Sequence, residues 1–397
     1  MKKNNLSIYL DHAAATPMDL AVFDVMKPYF LKQYANASAL YGAAQENQRA
    51  LESARTAISE VLRTNESNIF FTRGGTESIN IALLGIARKH AVHGKHIISS
   101  MTEHAAVLET LRALEHEGFE VTYLPVTSDG IISLQDIKKA LRKDTILVTL
   151  MYANNEIGTI HPIADIGRLL LKWRKEQKTI FPYFHTDACQ ATNYLPLQVD
   201  ALHVDVLSLN GAKVYGPKSS GILFKRRGID LAPILFGGGH EGGVRPGTED
   251  IASSVGLAKA LVIAEKQRIK EEKRMITLRD YFWKKIKKQI TDVVLNGPDV
   301  SSGNRIANNL NISFLGAESE AVILYLDAKG IACASGAACS TDSDEPSHVL
   351  RACGVSQEGM KSSIRFTLGR STTKKDIDVV MKQLPGIIDT VRNMLVS

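Results

Sequence analysis

Cys339 lies in a run of small and polar residues, Ala334-Ser335-Gly336-Ala337-Ala338-Cys339-Ser340-Thr341-Asp342-Ser343-Asp344-Glu345-Pro346, with no apolar periodicity until Val349-Leu350. That context predicts a loop and a reachable thiol. Such a thiol can act as a nucleophile or carry a sulfur atom; an incidental surface cysteine fits the same surroundings. Lys213 sits in Ser208-Leu209-Asn210-Gly211-Ala212-Lys213-Val214-Tyr215-Gly216-Pro217-Lys218, between an apolar strand and a turn constrained by Gly and Pro. A lysine desolvated there becomes a usable amine for a Schiff base, although most lysines are solvated surface charges.

Three further segments could do chemistry. Thr72-Arg73-Gly74-Gly75-Thr76-Glu77-Ser78 joins a strand to a helix, so its backbone N–H groups and Thr76 could cradle a phosphate; a simply capped helix start reads the same way. In His185-Thr186-Asp187-Ala188-Cys189-Gln190, period-2 alternation puts His185, Asp187 and Cys189 on one face. They could hold a metal, or Asp187 could keep a heteroaromatic nitrogen protonated while Gln190 reaches a neighbouring group, or Asp187 could be a plain turn residue. Arg365, in the strand pattern Ser362–Arg370, points away from Ile364 and Phe366 and could clamp a carboxylate. The run Gly237–Thr248 is too glycine-rich for a regular element and reads as a loop.

Alternating strands and helices must position these groups. Strands are expected at Ile69–Thr72, His96–Ser100, Val121–Leu124, Thr145–Tyr152, Tyr183–Asp187, Val204–Leu209 and Gly221–Phe224, with helices between them. The pattern implies a mostly parallel sheet covered on both faces. It changes after about Gly256. A long charged helix at roughly Ala258–Lys288 leads to a smaller α+β region, whose last helix Pro385 should kink or interrupt.

The 397 residues allow two or three domains, and 48 Lys+Arg against 42 Asp+Glu is too mild an excess to argue for nucleic acid. Four cysteines in a chain of this length do not form a disulfide framework. Lacking a long apolar N-terminal run and any stretch of about 20 apolar residues, the chain is expected to be cytoplasmic, with no membrane span.

Together these segments resemble the cysteine desulfurases of the NifS/IscS type, in the class V aminotransferase group of fold-type I pyridoxal-phosphate enzymes. The resemblance runs from Ile8 to about Asp378. It rests on Thr102-Glu103-His104, Tyr152–Gly158, His185–Gln190, Asn210–Pro217, Gly237–Thr248, Ser335–Pro346 and Ser363–Arg370. It implies an α/β fold: a large cofactor-binding domain over residues 16–260 with a seven-stranded, mostly parallel sheet. Residues 1–15 and 261–397 would form a smaller α+β domain carrying the Cys339 loop.

The resemblance also implies roles. Lys213 would hold pyridoxal 5'-phosphate and shuttle protons, Asp187 would pair with its ring nitrogen, Gln190 would reach its phenolic oxygen, and His104 would stack on its face. Gly75, Thr76, Asn155 and Asn210 would belong to the cofactor site, and Thr248 would reach the cofactor of a partner subunit, making a homodimer. Arg365, Asn155 and Asn36 would bind the substrate, L-cysteine. Cys339 would accept its sulfur as a persulfide for an acceptor protein, an iron–sulfur scaffold or a tRNA-thiolation enzyme, leaving L-alanine. No resident metal and no direct nucleic-acid contact are expected. Selenocysteine lyase or another class V activity is the alternative.

Three departures stand out. Ala212 replaces the His or Ser with which many relatives help bind the phosphate. Ala37 occupies the proline position of an Asn-Pro-Ser type turn, which should loosen that loop. The chain also ends at Ser397, without the tail by which some relatives grip a scaffold protein.

Overall fold

The computed structural model describes residues 8–335 and 346–394. Cys339 lies outside them. Among the described residues, thirteen strands form three sheets: β1 Ile8–Tyr9, β2 Ile69–Thr72, β3 His96–Ser100, β4 Glu120–Leu124, β5 Thr145–Thr149, β6 Tyr183–Asp187, β7 Val206–Asn210, β8 Gly221–Lys225, β9 Val293–Leu295, β10 Asn309–Phe314, β11 Ile331–Ala332, β12 Ala334–Ser335 and β13 Ser363–Thr367. The largest sheet has seven strands in the order β2-β8-β7-β6-β5-β3-β4. β8 runs antiparallel to both its neighbours, and the remaining pairs are parallel. All residues of β3, β5 and β6 are buried, as a sheet covered by helices on both faces requires.

β12-β13-β10-β9 make a four-stranded antiparallel sheet. The N-terminal β1 pairs in parallel with β11, Ile8 opposite Ile331. Asp11 and His12 continue from β1 onto Thr367 at the end of β13. The segment carrying Ala13 and Ala14 is thereby fixed between the large sheet and the smaller one.

Two helices differ from expectation. The long helix spans Ile251–Gln289 and starts at an Asp250 cap whose side chain accepts the Ser253 N–H. Gly256, which reads as a boundary, lies inside it. A Cβ there would sit 2.5 Å from the Met26 sulfur, so this glycine permits close helix packing. The last helix, Lys374–Met394, continues through Pro385. Its buried face, from Ile377 and Val380 to Ile388 and Val391, is held on both sides of the proline.

Candidate active site

The large sheet opens at its strand ends onto a cavity of about 480 Å³. Parallel sheets bind ligands outside the carboxyl ends of their strands. The loops leaving β2, β6 and β7 supply Gly75, Asp187 and Lys213 to this cavity.

Its phosphate end is built on glycine. β2 runs through Gly74, at φ +138°, into the Gly75–His90 helix. A Cβ on Gly75 would lie 2.7 Å from the Cys189 sulfur, so only a bare backbone fits. The helix start presents backbone N–H groups without intrahelical acceptors, together with the positive end of its dipole. The Asn210 amide nitrogen lies 3.6 Å from the position of that Cβ, while its Oδ1 accepts the Ala212 N–H at 3.0 Å. Asn210 thus turns an amide donor toward the Gly75 helix start.

Asp187 ends β6 at 7% exposure, and its Oδ1 accepts the Cys189 N–H at 2.9 Å. Burial, with Asp187 adding to it, pushes the Cys189 thiol well above its ordinary range. Cys189 lies past the strand end rather than on its face. His185 is engaged on both ring nitrogens, by Thr149 Oγ1 at 2.8 Å and Ser208 Oγ at 3.0 Å. The shared metal-ligating face that alternation predicts for His185, Asp187 and Cys189 therefore does not form.

Lys213 Nζ donates to the Ala13 carbonyl at 2.8 Å and also to that of Ala14, while Gln190 Nε2 donates to Ala13 at 3.0 Å. The lysine backbone is held in turn: Asn193 donates to its carbonyl, and Thr16 donates twice to that of Ala212. His104 caps the Ala105–His116 helix, its Nδ1 accepting the Ala106 N–H at 3.0 Å. An accepting Nδ1 carries no proton, so the ring's proton belongs to Nε2.

Arg365, 2% exposed on β13, donates to Asp11 Oδ1 at 2.8 Å and to the Asn155 carbonyl at 3.0 Å. Its Nε has no partner. Core residues Ile364 and Phe366 flank it on the opposite face.

Lys213, His104, Gly75, Thr76, Asn155, Asp187, Gln190, Asn210 and Arg365 all line this cavity. Asn36 and Thr248 do not. Asn36 Oδ1 closes a turn by accepting the Ser38 N–H, and Asn47 ties the preceding loop by donating to the Gln33 and Ala35 carbonyls. An asparagine bracket thus stands where Ala37 replaces a proline. Thr248 belongs to the glycine-rich loop. Buried Glu241 locks that loop by accepting from the Arg55 guanidinium and the Phe71 N–H.

Reading the sequence for roles passes over two carboxyls in the cavity wall, Glu103 and Glu156. Both are buried, and burial raises both above the usual carboxylate range. The signal was there, since each lies inside a motif that also supplies a cavity residue, His104 or Asn155.

Among the described residues, no helix is long and apolar enough to cross a membrane.

A buried acid at a strand end, a lysine on the next turn and a glycine-cradled helix start define an anion-binding α/β enzyme of the class V aminotransferase kind. The aminotransferase class-V profile matches residues 8–380. The chain is 44% identical to a cysteine desulfurase IscS of Dictyoglomus turgidum, over 98% of this chain and 96% of that protein. It is 43% identical to the cysteine desulfurase IscS of Methanosarcina thermophila, covering 98% and 94%. Among solved structures, a NifS-like protein superposes with a TM-score of 0.89 at 32% identity, over 96% of this chain and 99% of that one. One titled SspA in complex with cysteine gives 0.78 at 34%, covering 91% and 99%. The chain belongs to the class V aminotransferase family and, within it, to the cysteine desulfurases of the NifS/IscS type.

Proposed function

We propose that this desulfurase binds pyridoxal 5'-phosphate through Lys213 and moves sulfur from L-cysteine to Cys339. The observation that carries the reading is the convergence of Lys213, Asp187, His104, Gln190 and Arg365 on one cavity. The residues present suit the cofactor. The Gly75 cradle takes a phosphate, buried Asp187 suits a protonated ring nitrogen, and the amine of Lys213 lies across the cavity. When bound, the cofactor supplies an electron sink for the substrate's α-carbon.

Each side chain then has a task. Lys213 holds the group and carries the α-proton. Asp187 would pair with the ring nitrogen, Gln190 would meet the ring oxygen and His104 would lie against the ring. Gly75, Thr76 and Asn210 hold the phosphate. Arg365, aimed by Asp11, and Asn155 hold the substrate carboxylate; Asn36, outside this cavity within its own chain, reaches the substrate only if another copy of the chain brings it there. The Cys339 thiolate attacks the substrate sulfur. A new S–S bond forms and the carbon–sulfur bond breaks. The electron pair stays with the three-carbon fragment, which takes up a proton and leaves as L-alanine. The sum is L-cysteine plus a thiol giving L-alanine plus a persulfide.

The other thiols are poor acceptors. Burial pushes Cys333 up to about 12 and Cys353 up to about 11, and it raises Cys189 as well. The persulfide serves an iron–sulfur scaffold or a tRNA-thiolation enzyme in the cytoplasm. Thr248, outside its own chain's cavity, completes the phosphate site of a second copy in a homodimer.

The test is to give cofactor-loaded protein L-cysteine and a reductant. Sulfide and alanine should appear in equal amounts, and Cys339→Ala should stop both while the cofactor stays bound. Undiminished desulfuration by Cys339→Ala would rule out the persulfide assignment.

A further inference from the structure

We propose that Glu103 is a positioning residue that stays a neutral carboxylic acid at working pH, so that Asp187 is the ionised carboxylate facing the cofactor. This deepens the reading of Asp187 as the ring nitrogen's partner and rests on it.

Glu103 immediately precedes the cap of the Ala105–His116 helix and is fully buried. Its Oε1 accepts one hydrogen bond, from the Met151 N–H at 2.7 Å, and its Oε2 has no partner. Among the described residues it forms no ion pair. Its own backbone carbonyl is 2.9 Å from His348 Nε2, which fixes the residue from the other side. The charged or titratable side chains sharing the cavity with it are His104, Glu156, Asp187, Cys189, Lys213, His348 and Arg365.

Two carboxyls in one dry wall do not both ionise readily, since each charge raises the cost of the other. Their surroundings differ. Asp187 accepts the Cys189 N–H and shares its strand-end site with Lys213. Glu103 has one N–H and no cation, and burial with the charge of Asp187 favours its protonated form. Paired environments of this kind mark which acid keeps its proton. A neutral Glu103 still accepts at Oε1, holding the Met151 backbone and hence its stretch of cavity wall. It adds no second negative charge beside the ring nitrogen's partner.

The decisive pair is Glu103→Gln and Glu103→Ala. Cofactor-free protein at neutral pH should show a carboxylic-acid C=O band in the infrared difference spectrum of parent minus Glu103→Gln. By equilibrium dialysis of pyridoxal phosphate, Glu103→Ala should bind at least roughly tenfold more weakly, with Glu103→Gln back within about threefold of the parent. The proposal is overturned if the parent-minus-Glu103→Gln difference spectrum lacks a carboxylic-acid C=O band, since buried Glu156 can contribute a band of its own to both proteins, or if Glu103→Gln binds as poorly as Glu103→Ala. Should Glu103→Ala not fold, the infrared comparison of parent and Glu103→Gln still decides. Asp187→Asn separates the two ideas. If it retains the cofactor with an unchanged absorbance spectrum, the Asp187 assignment fails and takes the charge division with it, even where the Glu103 band behaves as expected.

Discussion

At the scale of single residues, chemistry here follows from who holds each side chain. The Lys213 amine is oriented by two backbone carbonyls, Ala13 and Ala14, from the N-terminal segment. Lys213→Ala should abolish covalent cofactor retention and lower desulfuration by roughly 10²–10⁴-fold, the range for losing a positioned proton carrier. Borohydride reduction followed by mass measurement would check the first, and alanine release the second. Arg365 is aimed by Asp11. Asp11→Asn should therefore raise KM for L-cysteine more than it lowers kcat, in steady-state kinetics; an unchanged KM would show that Arg365 needs no such partner. Lys213, Asp187 and Arg365 were legible in the sequence because each is a charge where strand patterning leaves little room for solvent. Glu103 and Glu156 were legible only as members of the motifs that carry His104 and Asn155. A glutamate in a loop defaults to solvation, and only packing reveals that water is excluded.

At the scale of elements, glycine decides how closely the helix start can approach the sheet. Gly75→Ala drives a methyl group to 2.7 Å from the Cys189 sulfur, and overpacking of that kind costs roughly 1–3 kcal/mol. Chemical denaturation should show that loss. The double variant with Cys189→Ala should recover much of it, because the next contact, Asn210 Cβ at 3.5 Å, is an ordinary one. Failure of the second change to rescue would mean that the strain lies in the backbone. Strand and helix order was readable from apolar periodicity. The ends were not, because tertiary contacts set them. Gly256 reads as a break until Met26 is seen lying against it, and Pro385 reads as a stop until the buried face beyond it is counted.

For the whole molecule, acid sensitivity follows from buried imidazoles. Burial pushes His161 and His185 down to about 4. Between 6.5 and about 4, His185 is neutral in the fold and protonated in the unfolded chain, so unfolding takes up a proton. The stabilisation from keeping it neutral is complete above 6.5 and is lost as the pH falls through that window. Glu103 works in the opposite sense, its raised folded value removing stability as the pH rises. A variant comparison isolates the imidazole. The stability gap between the parent and His185→Gln should shift against the parent by on the order of 3 kcal/mol from pH 7 to pH 4. A gap independent of pH, in urea titrations of the cofactor-free protein, would contradict a neutral His185. The proposed homodimer also belongs to this scale. Sedimentation should give twice the chain mass, and Thr248→Ala should weaken cofactor retention without dissociating the pair. The cavity of a single chain does not test the role proposed for Thr248, because the residue lies outside it.

The pairing of β1 with β11 has a bearing on biosynthesis. Ile8 waits for Ile331, and the Asp11–Arg365 bridge joins residues 354 positions apart. While the chain is still emerging from the ribosome, the large sheet can assemble, yet the segment bearing Ala13 and Ala14 has no strand to dock on. The reactive lysine therefore gains its final setting only near the end of translation, so an interrupted polypeptide would leave the tunnel without a finished catalytic chamber.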